Sequence, residues 1–176
     1  MLVPVDRAYG RGVRGRTLGK PTMQTKTQVI QDADGSVSLA WLTPSVLYAR
    51  YARVLSADVG NALAATLYAQ AQTVSALDFF VDGSSLTQYD LVARSAFIRV
   101  VLANRCRFNS IVMLTWQCGI SPATRALLDA LGPASEALTD SNEFSLRLLR
   151  LAPAAPQILA CLRTLASDQR RLTSLP

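Results

Sequence analysis

From residue 25 onward, segments of strand length with alternating or continuous apolar residues are separated by stretches whose apolar residues recur every three or four positions. A chain that switches between these two periods is confined to a β-sheet with helices laid over it, because each element carries an apolar face that another element must cover. Segments 25–30 and 36–41 alternate, and Ala33-Asp34-Gly35 between them is turn chemistry with a glycine available for a positive φ. They predict a β-hairpin. Residues 46–54 alternate again, with Val46, Tyr48, Arg50 and Ala52 on one face and Leu47, Ala49, Tyr51 and Arg53 on the other, and predict a third strand.

Ser56 then offers an N-cap, Asp58 a favourable first-turn charge, and Val59, Leu63 and Leu67 a four-residue recurrence, predicting a helix to about Gln72. Residues 76–81 are a short apolar run of the kind a central strand shows, ended by Asp82-Gly83-Ser84-Ser85. Asp90 caps a second helix through Asn104, and a strand at 110–115 follows. Ser121-Pro122 opens a third helix that Gly132 ends. Residues 137–139 predict a short last strand, after which Asp140 and Glu143, at capping-box-like spacing, open a helix carrying Phe144, Leu148 and Leu151. Pro153 stops that helix, and Pro156 restarts one with Ile158, Leu159, Leu162 and Leu165. The predicted fold class is therefore α/β: a mixed β-sheet with an N-terminal antiparallel hairpin and with helices packed on it through right-handed crossovers.

At 176 residues, half of them hydrophobic, the chain can bury a core of its own, and residues 23–176 are expected to form one domain. Residues 1–22, with four glycines among arginines and no hydrophobic period, are expected to be a flexible basic tail. The net charge of +6 follows this division. Residues 1–26 hold six basic residues and one acid, which leaves 12 basic and 11 acidic residues for the remaining 150. A basic globular face is thus not supported, and contact with nucleic acid or acidic lipid is expected only through the tail. The uncharged stretch 63–77 is interrupted by Thr66, Tyr68, Gln70, Gln72, Thr73 and Ser75, so no transmembrane segment is expected. The arginine-rich start has no apolar signal region either, and the chain is expected to be cytoplasmic.

Catalytic machinery is hard to assemble from this inventory. There is no histidine, and the two lysines, Lys20 and Lys26, lie in or near the tail, so a serine nucleophile lacks its usual bases. Cys106, Cys118 and Cys161 are widely spaced, outside any C-x-x-C arrangement, and read as free thiols rather than zinc ligands. No glycine-rich phosphate loop is present, and no cofactor or metal is expected. Asp82 and Asp90 stand eight residues apart across one loop, where they could act as an acid/base pair or bind a metal. The plainer reading is that Asp82 fixes a turn and Asp90 caps a helix. Ser84 and Ser85 can donate to an anion or to their own backbone. Tyr89 lies on a loop at the carboxyl end of a strand, where open α/β sheets place ligands, and the loop at 118–121 is expected to meet it there. Trp41 and Trp116 read as core or sheet-edge residues.

Phe-Val-Asp-Gly-Ser-Ser-Leu-Thr-Gln-Tyr-Asp-Leu-Val at residues 80–92 resembles the signature region of STAS-like domains, which include the anti-sigma-factor antagonists. In that family a buried strand ends in Asp, a loop carries a hydrophobic residue, and a second Asp opens the next helix. Asp82, Leu86 and Asp90 match this spacing, and the element order over 25–151 is similar. In the antagonists the residue after the second Asp is a serine that a partner kinase phosphorylates, followed by a further serine and a glycine. Leu91, Val92 and Ala93 stand there instead, so the phosphate switch is expected to be missing. The resemblance implies a non-catalytic interaction domain in bacterial signalling or regulation. It would bind a protein partner, a second copy of the chain being among the candidates, through a rim of Asp82, Ser84, Ser85, Tyr89, Asp90 and Leu91. The same shape also resembles lipid-transfer domains, and the alternative is a carrier or sensor of a small apolar ligand or lipid held in a cavity beside the sheet.

Overall fold

A computed structural model describes residues 26–115 and 122–156. The expected tail, Trp116, the loop at 118–121, and the helix after Pro156 lie outside the described residues. Within them are seven strands in one sheet and four α-helices. The hairpin pairs β1 (Lys26–Gln31) with β2 (Gly35–Thr43) antiparallel, Gln31 opposite Ser36. β2 pairs antiparallel with β3 (Val46–Leu55). Parallel pairing then runs from β3 to β4 (Leu77–Asp82), from β4 to β6 (Phe108–Leu114) and from β6 to β7 (Ser135–Leu138). This is the mixed α/β sheet with an antiparallel N-terminal hairpin that the residue pattern predicts.

Two features of the strands differ from expectation. Residues 86–89, read as loop, form β5 (Leu86–Tyr89), which runs parallel to the far end of β3. β4 stops at Asp82 while β3 continues to Leu55, so the last turns of β3 have unpaired backbone groups; the Arg53 amide bonds the Ser85 carbonyl at 3.0 Å, and the Thr87 hydroxyl bonds the Arg53 carbonyl at 2.9 Å. Pairing of this kind compensates exposed strand edges and is invisible to local periodicity. Arg53 sits at φ 65° where the register shifts, a bulge that only a distorted backbone accommodates.

The second difference concerns the hairpin turn. Gly35 does not adopt a positive φ; the Asp32 carboxylate closes the turn by accepting from the amides of Asp34 and Gly35, both at 2.9 Å. Glycine is required at 35 for space, because a Cβ there would stand 1.9 Å from the Val54 carbonyl oxygen.

Alternation divides the strands between two apolar layers. Leu39, Leu47, Phe79 and Ile111 face α1 (Ala57–Thr73), α2 (Leu91–Ala103) and α3 (Pro122–Leu131), whereas Tyr48, Phe80 and Val112 pack with Phe144 and Leu148 of α4 (Ser141–Leu151). Ser56 caps α1 by accepting from the Val59 amide, and Asp140 caps α4 through the amides of Asn142 and Glu143. α1 and α2 approach so closely at Gly60 that a Cβ there would meet the Ala93 Cβ at 2.2 Å, which sets the position of α2 over the sheet. Trp41 lies within the sheet, on β2 between Lys26 of β1 and Leu47 of β3, its indole N–H donating to Gln70 at 2.8 Å and its ring under the Lys26 ammonium. None of the described helices is long and apolar enough to cross a membrane.

The hairpin and α1 are tied at one point, since the Ser56 hydroxyl donates to the Asp32 carboxylate while capping α1. That bond, followed by those from the Gly35 and Asp34 amides, holds the Asp32 carboxyl below its ordinary value of 3.8. A carboxyl depressed on folding contributes stability that is present above its unfolded pKa and is lost as pH falls through the folded one. Asp32→Asn is therefore expected to flatten the dependence of melting temperature on pH below about pH 4, and wild-type and variant melting curves between pH 2.5 and 7 check it. Identical acid limbs would show that Asp32 is not so held.

Candidate functional site

The carboxyl ends of β3, β4 and β6 point the same way, and the amino ends of α2 and α3 start beside them. Beyond Asp82 the sheet divides. The Gly83 amide still bonds the Leu114 carbonyl at 2.9 Å, but β5 then follows β3 and leaves β6 behind. The division leaves a pocket of about 510 Å³ between β5, α2 and α3. Leu55, Val81, Leu86, Phe97, Met113 and Leu127 supply its apolar wall, and Tyr51, Tyr89, Thr115 and Arg94 its polar atoms.

The expected rim residues do not all meet there. Tyr89 lines the pocket, as do Gly83 and Thr87. Asp82 instead belongs to the opposite face of the sheet: it accepts from the Tyr48 hydroxyl at 3.0 Å, pairs with the Arg50 guanidinium at 3.7 Å, and takes the amide and hydroxyl of Ser84 at 3.0 and 2.6 Å. This cluster closes the turn after β4. Ser85 lends its carbonyl to the Arg53 amide. Asp90 sits over the end of β3, its amide bonded to the Leu55 carbonyl at 2.8 Å and its carboxylate to the Val92 amide at 2.6 Å. Each carboxylate is thus engaged separately, Asp82 by side chains of β3 and the turn, Asp90 by the helix it opens.

Leu91 and Val92 follow that cap with their side chains turned outward, 70% and 50% exposed. Two adjacent exposed apolar residues in a first helical turn form a patch that solvation alone does not favour.

Periodicity pointed to neither Arg94 nor Tyr51 as site residues. Arg94 stands three positions before Phe97 on the apolar stripe of α2, next to buried Ala93, and a charge on such a stripe is the signal that finds it. Tyr51 is buried under β5, and burial pushes its hydroxyl well above the usual tyrosine range, so it remains a neutral phenol. Cys106 is exposed in the 3₁₀ turn at Arg105–Arg107, at the other end of α2 from the pocket.

No family model matches the sequence, and no curated protein matches it. Among solved structures the chain is similar to an uncharacterised DUF3478-family protein with a SpoIIAA-like fold from Shewanella loihica PV-4, at 12% identity and a TM-score of 0.48, covering 74% of this chain and 99% of that one. It is also similar to the anti-sigma factor antagonist SpoIIAA in its unphosphorylated form, at 14% identity and a TM-score of 0.43, covering 71% of this chain and 98% of that one.

The Asp90 cap generates a direct expectation. Asp90→Ala is expected to lower stability by about 1 kcal/mol, and Asp90→Asn by less because the amide oxygen still accepts the capping bond. Urea denaturation of the three proteins checks the order; equal losses from both substitutions would mean that the charge, rather than the cap, matters.

Proposed function

We propose that this chain is a non-catalytic regulatory binding domain that engages a protein partner at the carboxyl ends of its parallel strands, through Asp90, Leu91 and Val92 at the start of α2 with Tyr89 beside them. The observation that carries the reading is the outward pair Leu91 and Val92 directly behind the Asp90 cap. Apolar side chains presented side by side on a rigid helix end are what a partner can cover at small entropic cost, because the helix is already formed. The motif resemblance over residues 80–92 supports a regulatory role. Leu91 has no hydroxyl, so the association is constitutive at this position.

A second reading is favoured by the pocket beside β5. Its volume of about 510 Å³ and largely apolar wall suit a carrier or sensor of a small ligand.

The partner reading is tested by placing a photo-crosslinking amino acid at Leu91 in the native cells, with exposed Tyr68 on α1 as the control position. Position 91 is expected to give a discrete protein adduct that position 68 does not, and phosphatase treatment of the lysate is expected to leave its yield unchanged. Leu91→Asp should abolish association while keeping the wild-type melting temperature. Adducts of equal yield from both positions, or full binding by Leu91→Asp, would contradict a partner at this rim.

A further inference from the structure

The pocket beside β5 contains an electrostatic imbalance. Among its described lining residues Arg94 is the one charged group, and no carboxylate faces it. The Arg94 guanidinium forms no ion pair with any described residue, and its Nε–H is shut off from solvent without a hydrogen-bond acceptor. Arg50 on β3, by contrast, pairs with Asp82. A half-buried cation with an unmade bond beside an apolar wall costs stability, since arginine cannot shed its proton to escape. Such a group in a concave site marks a place where a ligand completes the bonding.

We propose that the pocket binds a small amphipathic carboxylate, its apolar body against Leu55, Val81, Phe97, Met113 and Leu127 and its anionic end on Arg94. This deepens the second reading above and rests on it. A single guanidinium matches one negative charge and offers the paired N–H groups that a carboxylate accepts. A phosphate monoester, with nearly two charges, would call for a second cation that the described lining lacks. The long Arg94 side chain can turn its Nε–H onto the ligand, and the hydroxyls of Tyr51 and Tyr89 stand among the lining groups as further donors. At roughly 30 Å³ per water-sized group, the pocket has room for a ligand of roughly fifteen heavy atoms.

The test uses the full chain, with decanoate and 1-decanol as probes in calorimetric titrations at neutral pH. The wild type is expected to bind one decanoate per chain. Arg94→Gln is expected to weaken decanoate by at least about tenfold and to leave decanol unchanged, as loss of a charge-assisted bond requires. Arg94→Gln should melt no lower than the wild type without ligand, because it removes an unpaired cation; Arg94→Lys, which keeps the charge but not the fork, should lie between the two. Ala123→Phe, filling the pocket from α3, should lose both probes. Decanoate binding that Arg94→Gln leaves intact, with decanol bound as well, would overturn the anionic recognition while leaving an apolar pocket in place. Failure of the folded wild type to bind either probe would overturn both.

Discussion

The Asp82 carboxylate gathers the Tyr48 hydroxyl, the Arg50 guanidinium and both the amide and hydroxyl of Ser84, and the rest of this end of the molecule depends on that gathering. It terminates β4 while β3 still has residues to pair. The chain leaving the turn is delivered onto the free edge of β3 as β5, and its last bond to β6 is that from the Gly83 amide to the Leu114 carbonyl. A polar cluster on one face of the sheet thereby shapes an apolar pocket on the other. The carboxylate has a structural task that a purely local view of the motif could mistake for chemistry: its oxygens are occupied by the groups that make the turn.

α2 inherits its position from the same event. Asp90 is bonded to the end of β3 through its backbone and opens the helix through its side chain, so the helix starts at a fixed point. The close approach of Gly60 to Ala93 then holds the helix against α1. With both constraints in place, Leu91 and Val92 turn outward and Arg94 and Phe97 turn to the pocket. The proposed partner rim and the proposed ligand site are two faces of one helical turn.

Much of this fold was legible in the residue pattern because its signals are local. The alternation at 36–41 and 46–54, the apolar run at 76–81, and the caps at Ser56, Asp90 and Asp140 each depend on a few neighbouring residues. What escaped depends on distant partners. β5 is four residues, Leu-Thr-Gln-Tyr, with too little alternation to read, and it is a strand because β3 outruns β4. Gly35 was legible as a turn glycine, but the reason for it is the Val54 carbonyl nineteen positions away. The rim was legible as a stretch of sequence and not as a surface, since the sheet separates Asp82 and Ser84 from Tyr89. Arg94 carried a local signal, a charge on the apolar stripe of α2, but the pocket it faces is closed by β5 and α3, which the stripe does not reveal.

Hydrogen exchange of the Asp82→Ala protein against the wild type tests the dependence most directly. The amides of β5, with those of Asp90 and the first turn of α2, are expected to lose protection together, while the β1–β2 hairpin and the α4 layer keep theirs, because only the former rely on the turn after β4. Unchanged protection across residues 86–92, or a uniform loss across the whole sheet, would contradict the claim that the Asp82 cluster builds this end of the protein.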